Sequence, residues 1–443
     1  MKKISLLLII SLTLCLQKVV FAQNSTDTVV TLKQCVDYAL RNQPVVRQAA
    51  IDEQINEKNV RIGLSDWLPQ LTSSGEYEHY FKGAVPVTFS TGTTSFASAG
   101  NLNEYSSLGL QASQVIYNSD VLLAAKTANY SRLYYKQNTV SSQINVVSDV
   151  SKAFFDVLLS EKQLDILNED IIRLQRNLKD AYNKYQAGTV DKTDYKQATI
   201  SLNNSIASRK QTAESIKSKL AYLKQIMGIN AGTTLTLSYD STRYESEAYI
   251  DTNQQLDYNK RIEYQLLQTQ KTLQNINVSY YKWNFLPSVS AVGAYDFYYL
   301  SNRFSNLYSN NYPTGYYGLT FTMPIFQGTK RLQNLSKARL QADRADLDIE
   351  NSQNTINTEY VESLASYKSN NTNWELLKQN VGLAKDVYKV VSLQYREGIK
   401  TYLDVIEAQS DLRTAELNYY NSLFQLLSSK IDLEKALGIL TVQ

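Results

Sequence analysis

The chain has 443 residues, 45 Lys and Arg against 42 Asp and Glu, a net charge of +3 and a single histidine, His79. Proton transfer and zinc binding both favour histidine, so this composition argues against an enzyme and against a metal site. A charge this close to neutral also argues against nucleic acid as a partner.

The N-terminus reads as a secretory signal peptide over 1–22. Lys2 and Lys3 precede an apolar run from Ile4 to Leu16, and Val20-Phe21-Ala22 supplies small-residue cleavage chemistry. Leu14 before Cys15 is too bulky for lipoprotein processing, so an acylated N-terminus is not expected. Removing Lys2, Lys3 and Lys18 brings the mature charge to about zero. Cys35 is then the one remaining cysteine, which excludes an internal disulfide. Beyond residue 22 no stretch offers the roughly 18 uncharged apolar residues of a membrane helix. If the mature chain enters a membrane it must do so as strands.

A helix is expected from Thr31, where Thr31 and Gln34 fit a capping box, continuing past an interruption at Pro44 to about Leu64. It ends in Trp67-Leu68-Pro69. Two period-two segments follow, Gln70–Phe81 and Ser107–Tyr117, joined by a Ser/Thr/Gly/Asn-rich loop over Lys82–Asn103. His79 falls in the first and reads as a strand-face residue. From Asn118 to Tyr185 there is no proline or glycine, and apolar residues recur at 3–4–3–4 spacing through Leu164, Leu167, Ile171, Leu174, Leu178, Ala181 and Tyr185. At 1.5 Å per residue such a helix reaches about 100 Å, and its spacing predicts left-handed coiled-coil packing. The chain turns at Gly188 and returns as a helix over Asp191–Met227.

The same order then recurs, about 210 residues on. A helix over Leu256–Trp283 ends in Phe285-Leu286-Pro287. Strand patterns cover Ser288–Leu300 and Tyr316–Phe326, a long helix Gln327–Tyr395, a turn Gly398, and a return helix Thr401–Leu437. KYQAGTVDKTDYKQA at 184–198 aligns with QYREGIKTYLDVIEA at 394–408. The domain reading is therefore a first repeat over 23–230 (strands within 70–117, helices 118–185 and 191–227), a linker over 231–255, and a second repeat over 256–443 (strands within 288–326, helices 327–395 and 401–437).

The third strand places Val289, Ala291, Gly293, Tyr295, Phe297 and Tyr299 on one face. The fourth alternates Tyr317, Leu319, Phe321, Met323 and Ile325 with Gly318, Thr320 and Thr322. That matches the wall of a membrane barrel, although an ordinary half-buried sheet shows the same alternation. Four strands cannot close a bacterial barrel, which needs at least about eight. If these strands face lipid, several chains must pool them.

The duplicated order, the two Leu-Pro junctions, the paired Tyr-x-x-Gly-x-x-x-x-x-Asp turns and the Leu-x-x-x-x-Gly ends (Leu223 to Gly228, Leu433 to Gly438) resemble the outer-membrane efflux protein family, the TolC-like channels. The resemblance covers the mature chain. It implies a mainly α fold with a transmembrane β-barrel, built as a homotrimer with a 12-stranded outer-membrane pore on a periplasmic coiled-coil barrel. The segment after Gly228, including Thr233–Ser238, would join residues near the termini in a belt around that barrel. The implied activity is passive conduction from an inner-membrane transporter, of resistance-nodulation-division or ABC type, through a periplasmic adaptor to the exterior. No cofactor is implied.

The resemblance also assigns a gate at the helix-hairpin turns. Tyr395 and Lys400 of the second hairpin would meet Thr193 and Asp194 of the first, with Lys400 standing where an arginine is usual. Lysine lacks the bidentate fork, so such a lock is weaker. Asp404 and Glu407, at i and i+3, would form carboxylate rings at the constriction, and such rings favour cations. Thr401 with Asp404 also resembles a capping box, which explains the same acid as a helix start. Two other readings share parts of this pattern: a protein-secretion conduit with the same fold, and a periplasmic coiled-coil scaffold that never enters lipid.

Overall fold

The structure, a computed structural model, describes residues 29–82, 88–91, 94–97, 103–238 and 241–440. The signal peptide expected over 1–22 and much of the loop expected over 82–103 lie outside the described residues. In chain order the elements are β1 (Val29–Val30), α1 (Leu32–Asn42), α2 (Pro44–Ser65), β2 (Gln70–His79), β3 (Thr88–Thr91), β4 (Thr94–Ala97), β5 (Glu104–Tyr117), α3 (Ser119–Gln186) and α4 (Lys192–Met227). There follow β6 (Thr236–Leu237), α5 (Ser241–Glu247), α6 (Ile262–Trp283), β7 (Ser288–Ser301), β8 (Tyr312–Thr322), α7 (Lys330–Arg396) and α8 (Tyr402–Leu437).

The sequence repeats are not the compact units. Of the described residues, those up to 43 and within 149–249 and 370–428 form one unit, and those within 44–148 and 250–369 and from 429 onward form the other, so each takes segments from both repeats. The 68-residue α3 and the 67-residue α7 run through both.

The unit that carries the sheet is ordered by its proline junctions. Pro69 and Pro287 end helical propagation, and β2 and β7 begin at the next residue. β2, β5, β7 and β8 form one antiparallel sheet in that order. The register aligns Leu71 with Ala112, Gly293 and Tyr317, and Leu110 with Tyr295. It aligns Leu108 with Phe297, Ala291 with Leu319 and Val289 with Phe321. One face is therefore a band of Leu, Tyr and Phe, of which Leu71, Leu108, Leu110, Tyr295, Tyr317, Leu319 and Phe321 are exposed. The opposite face carries Thr72, Ser74, Glu76, Gln111, Ser107, Asp296, Thr314 and Thr320. A soluble sheet hides such a band; a barrel wall turns it to lipid. The outer strands β2 and β8 each pair on one side within the chain.

At the end of the apolar face Glu104 is buried and accepts a hydrogen bond from Tyr77 Oη at 2.7 Å, with His79 Nδ1 2.8 Å away. His79 thus stands at the end of β2. In the same unit buried Arg261 precedes α6, donating to Glu359 Oε2 (2.7 Å), Glu263 Oε2 (3.1 Å) and the Ala436 carbonyl (3.1 Å). It ties the entry of α6 to the end of α8.

Several boundaries differ from expectation, the second strand beginning at Glu104 in place of Ser107 and the first ending at His79 in place of Phe81. The helix expected from Leu256 begins at Ile262, because Asp257 caps a short 3₁₀ turn over Tyr258–Lys260 and Arg261 is extended. The fourth strand is Tyr312–Thr322 in place of Tyr316–Phe326. Its last pair is Ser288 with Thr322, since Pro287 precedes β7 and Pro324 has no N–H to continue the ladder. The second long helix starts at Lys330, after Gly328 turns the chain with φ +62°.

The other unit opens with the capping box: Gln34 N–H donates to Thr31 Oγ1, and the Thr31 N–H to Gln34 Oε1. Buried Cys35 and Ala39 face its core, and burial pushes the Cys35 thiol up to about 12. β1 pairs in parallel with β6, so the start of the described chain and the segment after Gly228 share one ribbon. α5 follows. Its Tyr244 ring sits edge-on to Phe155, and its Glu245 accepts from Lys378 Nζ and Tyr419 Oη, both at 2.5 Å. Burial opposes charge on Glu245, but these two donors outweigh it and hold the carboxyl below its ordinary range.

Candidate functional site at the helix-hairpin turns

The two hairpin turns lie in this second unit. Each long helix ends where a glycine adopts positive φ, Gly188 at +72° and Gly398 at +76°. The amides of Gly188 and Thr189 then cap the Tyr185 and Lys184 carbonyls at 2.9 and 3.0 Å; those of Gly398 and Ile399 cap Tyr395 and Gln394 at 3.1 and 2.8 Å. This paired closure satisfies carbonyls that a helix end leaves open. Glycine is favoured at both turns because the left-handed conformation costs other L-residues roughly 1–2 kcal/mol.

Beyond the turns the repeats diverge. Asp191 caps α4 without a side-chain bond. Thr193 is exposed and Asp194 half-buried in the first turn. Burial, and then the neighbouring Asp191, push the Asp194 carboxyl above its ordinary range, with Lys184 opposing. At the start of α8, Asp404 Oδ2 accepts from the Thr401 N–H (2.8 Å) and Thr401 Oγ1 (2.7 Å). Lys400 Nζ reaches Asp404 Oδ1 at 3.3 Å. Bonds from Thr401 first, and then Lys400, hold the Asp404 carboxyl below its ordinary range. Glu407, one turn on, is exposed.

Of the expected gate residues, Tyr395 is buried between the hairpins. It packs with Tyr402 and Val405 against Ala181 and Ala198, flanked by Leu178 and Tyr195. Asp194 is close enough that its charge acts on Tyr395 and Tyr402. Among the described residues Lys400 pairs with Asp404, four residues on, and no ion pair joins it to Asp194. Beside the turns Lys184 joins the hairpins: its Nζ donates to the Tyr395 carbonyl at 3.1 Å and lies 3.8 Å from the centroid of the Tyr395 ring. The sequence pattern did not single out Lys184 or Tyr402. The available signal was a difference between the copies, since Lys184 aligns with Gln394 and Tyr402 with Lys192.

A second polar cluster was also invisible in the heptad pattern. Asp170 of α3 is buried, and its carboxylate accepts from Ser205 Oγ of α4 (2.8 Å) and Gln409 Nε2 of α8 (2.9 Å). Arg413 approaches it at 3.4 Å, and Asn177 Nδ2 donates to Gln409 Oε1 at 2.6 Å. Three helices thereby meet at one carboxylate. Its counterpart in the second repeat is Asn380, and Ser205 aligns with Ala415, so the cluster exists once.

A four-stranded sheet segment with one exposed apolar face and open edges, carried with two exceptionally long helical hairpins, is the architecture of an outer-membrane channel protein. A family model described as outer membrane efflux protein matches residues 35–229 and 253–439, and the chain belongs to that family. It is 21% identical over 454 residues to the outer membrane protein TolC of Vibrio cholerae, covering 100% of this chain and 97% of that protein. It is 21% identical over 421 residues to the probable efflux pump outer membrane protein TtgC of Pseudomonas putida, covering 92% and 82%. Among solved structures its fold resembles CusC, with a TM-score of 0.76 at 18% identity over 92% of this chain and 91% of that one. It also resembles VceC of Vibrio cholerae, with a TM-score of 0.72 at 15% identity over 92% and 96%. The protein thus belongs to the outer membrane, with a large periplasmic helical part.

Proposed function

We propose that three copies of this chain form the exit duct of a tripartite efflux system. Each copy contributes four strands to a 12-stranded pore and its helical hairpins to a periplasmic tunnel. The duct is passive. It receives substrate from an inner-membrane transporter through a periplasmic adaptor, and the repeats over 23–230 and 256–443, with the linker 231–255, each supply part of both walls. The observation that carries this reading is the sheet. Its apolar band needs lipid, and its open edges on β2 and β8 need neighbouring strands, because unpaired edges do not persist in a bilayer.

In this reading the duct narrows at the turns at Gly188 and Gly398. Thr193, Asp194, Tyr395 and Lys400 form the gate there, and Asp404 and Glu407 line the constriction. The Asp404 capping role does not remove it from the ring, since a helix-start carboxylate keeps its charge. Planar-bilayer conductance tests the assignment. Asp404→Ala is expected to relieve block by divalent cations and Lys400→Ala to raise conductance. Unchanged behaviour in both removes the gate assignment and leaves the fold standing.

A further inference from the structure

We propose that Asp170 and Gln409 are positioning residues for the constriction: together they fix the height and rotation of α8 against the first hairpin, and so turn Asp404 and Glu407 away from α3. That these two acids line the duct rests on the gate reading above; the pin is what aims them.

Gln409 is 2% exposed, and α3 engages both ends of its amide. Nε2 donates to Asp170 Oδ1 at 2.9 Å, and Oε1 accepts from Asn177 Nδ2 at 2.6 Å. Asp170 and Asn177 stand seven residues apart on α3, so the amide is wedged between two points about 10 Å apart along that helix. A slide of α8, or a turn about its axis, breaks at least one of these bonds. The Asp170 carboxylate is itself held from α4 by Ser205 Oγ at 2.8 Å and from α8 by Arg413 Nη1 at 3.4 Å. Arg413 Nη1 also donates to Ser205 Oγ at 3.1 Å, which closes the cluster.

The direction of the acids follows from helix geometry. At about 100° per residue, Arg413 lies about 40° around α8 from Gln409, whereas Asp404 and Glu407 lie about 140° and about 160° away. Pinning Gln409 and Arg413 to the first hairpin therefore leaves both acids on the opposite side. Val405 and Leu412 are buried on the pinned side. Apolar packing is non-directional and selects a broad face, while an amide held at both ends selects one position. A buried polar residue sets register in coiled coils in this way.

The repeats differ at these same positions. Asp170, Asn177, Ser205 and Gln409 align with Asn380, Val387, Ala415 and Thr199. The paired acids are likewise confined to α8, since Glu407 aligns with Gln197. Pin and paired acids occur together, once per chain.

Two readouts on the full-length protein separate the pin from the gate. Alkylation of Glu407→Cys by iodoacetamide reports which way that position faces, Cys35 being buried, and Mg2+ block in planar bilayers reports the constriction. Combining Asp170→Leu with Gln409→Leu removes the pin without stranding a buried charge, so the thermal midpoint is expected to stay close to the parent's. In that background alkylation is expected to slow about twofold, as position 407 divides its time between two orientations. Half-block is expected to need about fivefold more Mg2+, the factor that a carboxylate about 4 Å from a cation is worth in water. Gln409→Met, a milder change that loses both amide bonds, carries the same expectations. Asp170→Asn keeps an oxygen for Gln409 and is expected to match the parent in both readouts. Unchanged alkylation in the double leucine and Gln409→Met variants overturns the inference, as does equal slowing in Asp170→Asn. Slower alkylation, with block unaltered both there and in Asp404→Ala, sustains the pin and refutes the gate reading instead.

Discussion

Replacing Gly438 by alanine tests whether close packing at the end of α8, and not conformation alone, demands glycine. Four glycines end long or return helices with nearly the same positive φ: Gly188 at +72°, Gly228 at +71°, Gly398 at +76° and Gly438 at +70°. Their surroundings separate them. A Cβ at Gly188 or Gly398 meets nothing within 4 Å. At Gly438 it would lie 2.7 Å from the Lys260 carbonyl oxygen, and at Gly228 2.8 Å from that of Asn42. Both fall well inside the ~3.5 Å of ordinary contact, and the opposing atoms are backbone that cannot swing away. Alanine at the turn glycines should therefore cost only the left-handed term, roughly 1–2 kcal/mol. At Gly438 and Gly228 overpacking adds about 1–3 kcal/mol. Heat unfolding of the four single alanine variants in detergent, followed by circular dichroism, should show the 228 and 438 midpoints falling clearly further than the 188 and 398 midpoints. Asparagine, which tolerates positive φ, should rescue the turn positions and fail at Gly438. Equal losses at all four sites, or rescue by asparagine at Gly438, would refute the packing argument.

Other consequences are equally direct. Asp170→Ala strands the buried amide of Gln409 and the hydroxyl of Ser205, so unfolding should become easier by about 3 kcal/mol, against about 1 kcal/mol for Ser205→Ala. Chemical denaturation with both variants measures the difference. Cys35, buried and with its thiol pushed up to about 12, should resist iodoacetamide at pH 8 in the folded protein and react readily in denaturant, as mass spectrometry would show. Asp404 and Asp194 should move stability in opposite directions with pH. The lowered Asp404 pKa contributes stability above the ordinary carboxylate range, and that contribution is lost as pH falls through the folded value. The raised Asp194 pKa stabilises only at low pH, and that contribution is lost as pH rises through its folded value. Melting curves from pH 3 to 7 should therefore show Asp194→Asn gaining stability at pH 7 and losing the gain at pH 3, whereas Asp404→Ala is destabilised at pH 7 alone.

The course of the chain was legible because its signals are local. Prolines 69 and 287 halt helices, glycines 188 and 398 turn them, Thr31 and Gln34 start one, and period-two and 3–4 spacings separate strand from coiled coil. The boundaries that shifted depended on something non-local or subtle: β8 stops where β7 begins, and α6 waits for Asp257 to release a 3₁₀ turn. The candidate site was legible as a place, since its proposed gate residues lie beside the two turns. Which charge faces which was not. Lys400 lies in the turn just before α8, and its ammonium pairs there with Asp404 in the first turn of that helix in place of Asp194.

The sequence by itself determined the duplicated order of helices and strands, the coiled-coil spacing and the apolar face of each strand, because these are periodic properties of contiguous residues. Only the tertiary structure decided that the compact units cut across the repeats, that β1 joins β6, that Asp170 gathers three helices, and that Lys184 reaches Tyr395. Each of these is a contact between residues far apart in the chain. Such contacts follow from how helix faces are rotated against one another, and a heptad pattern constrains its apolar seam far more tightly than the polar side chains beside it.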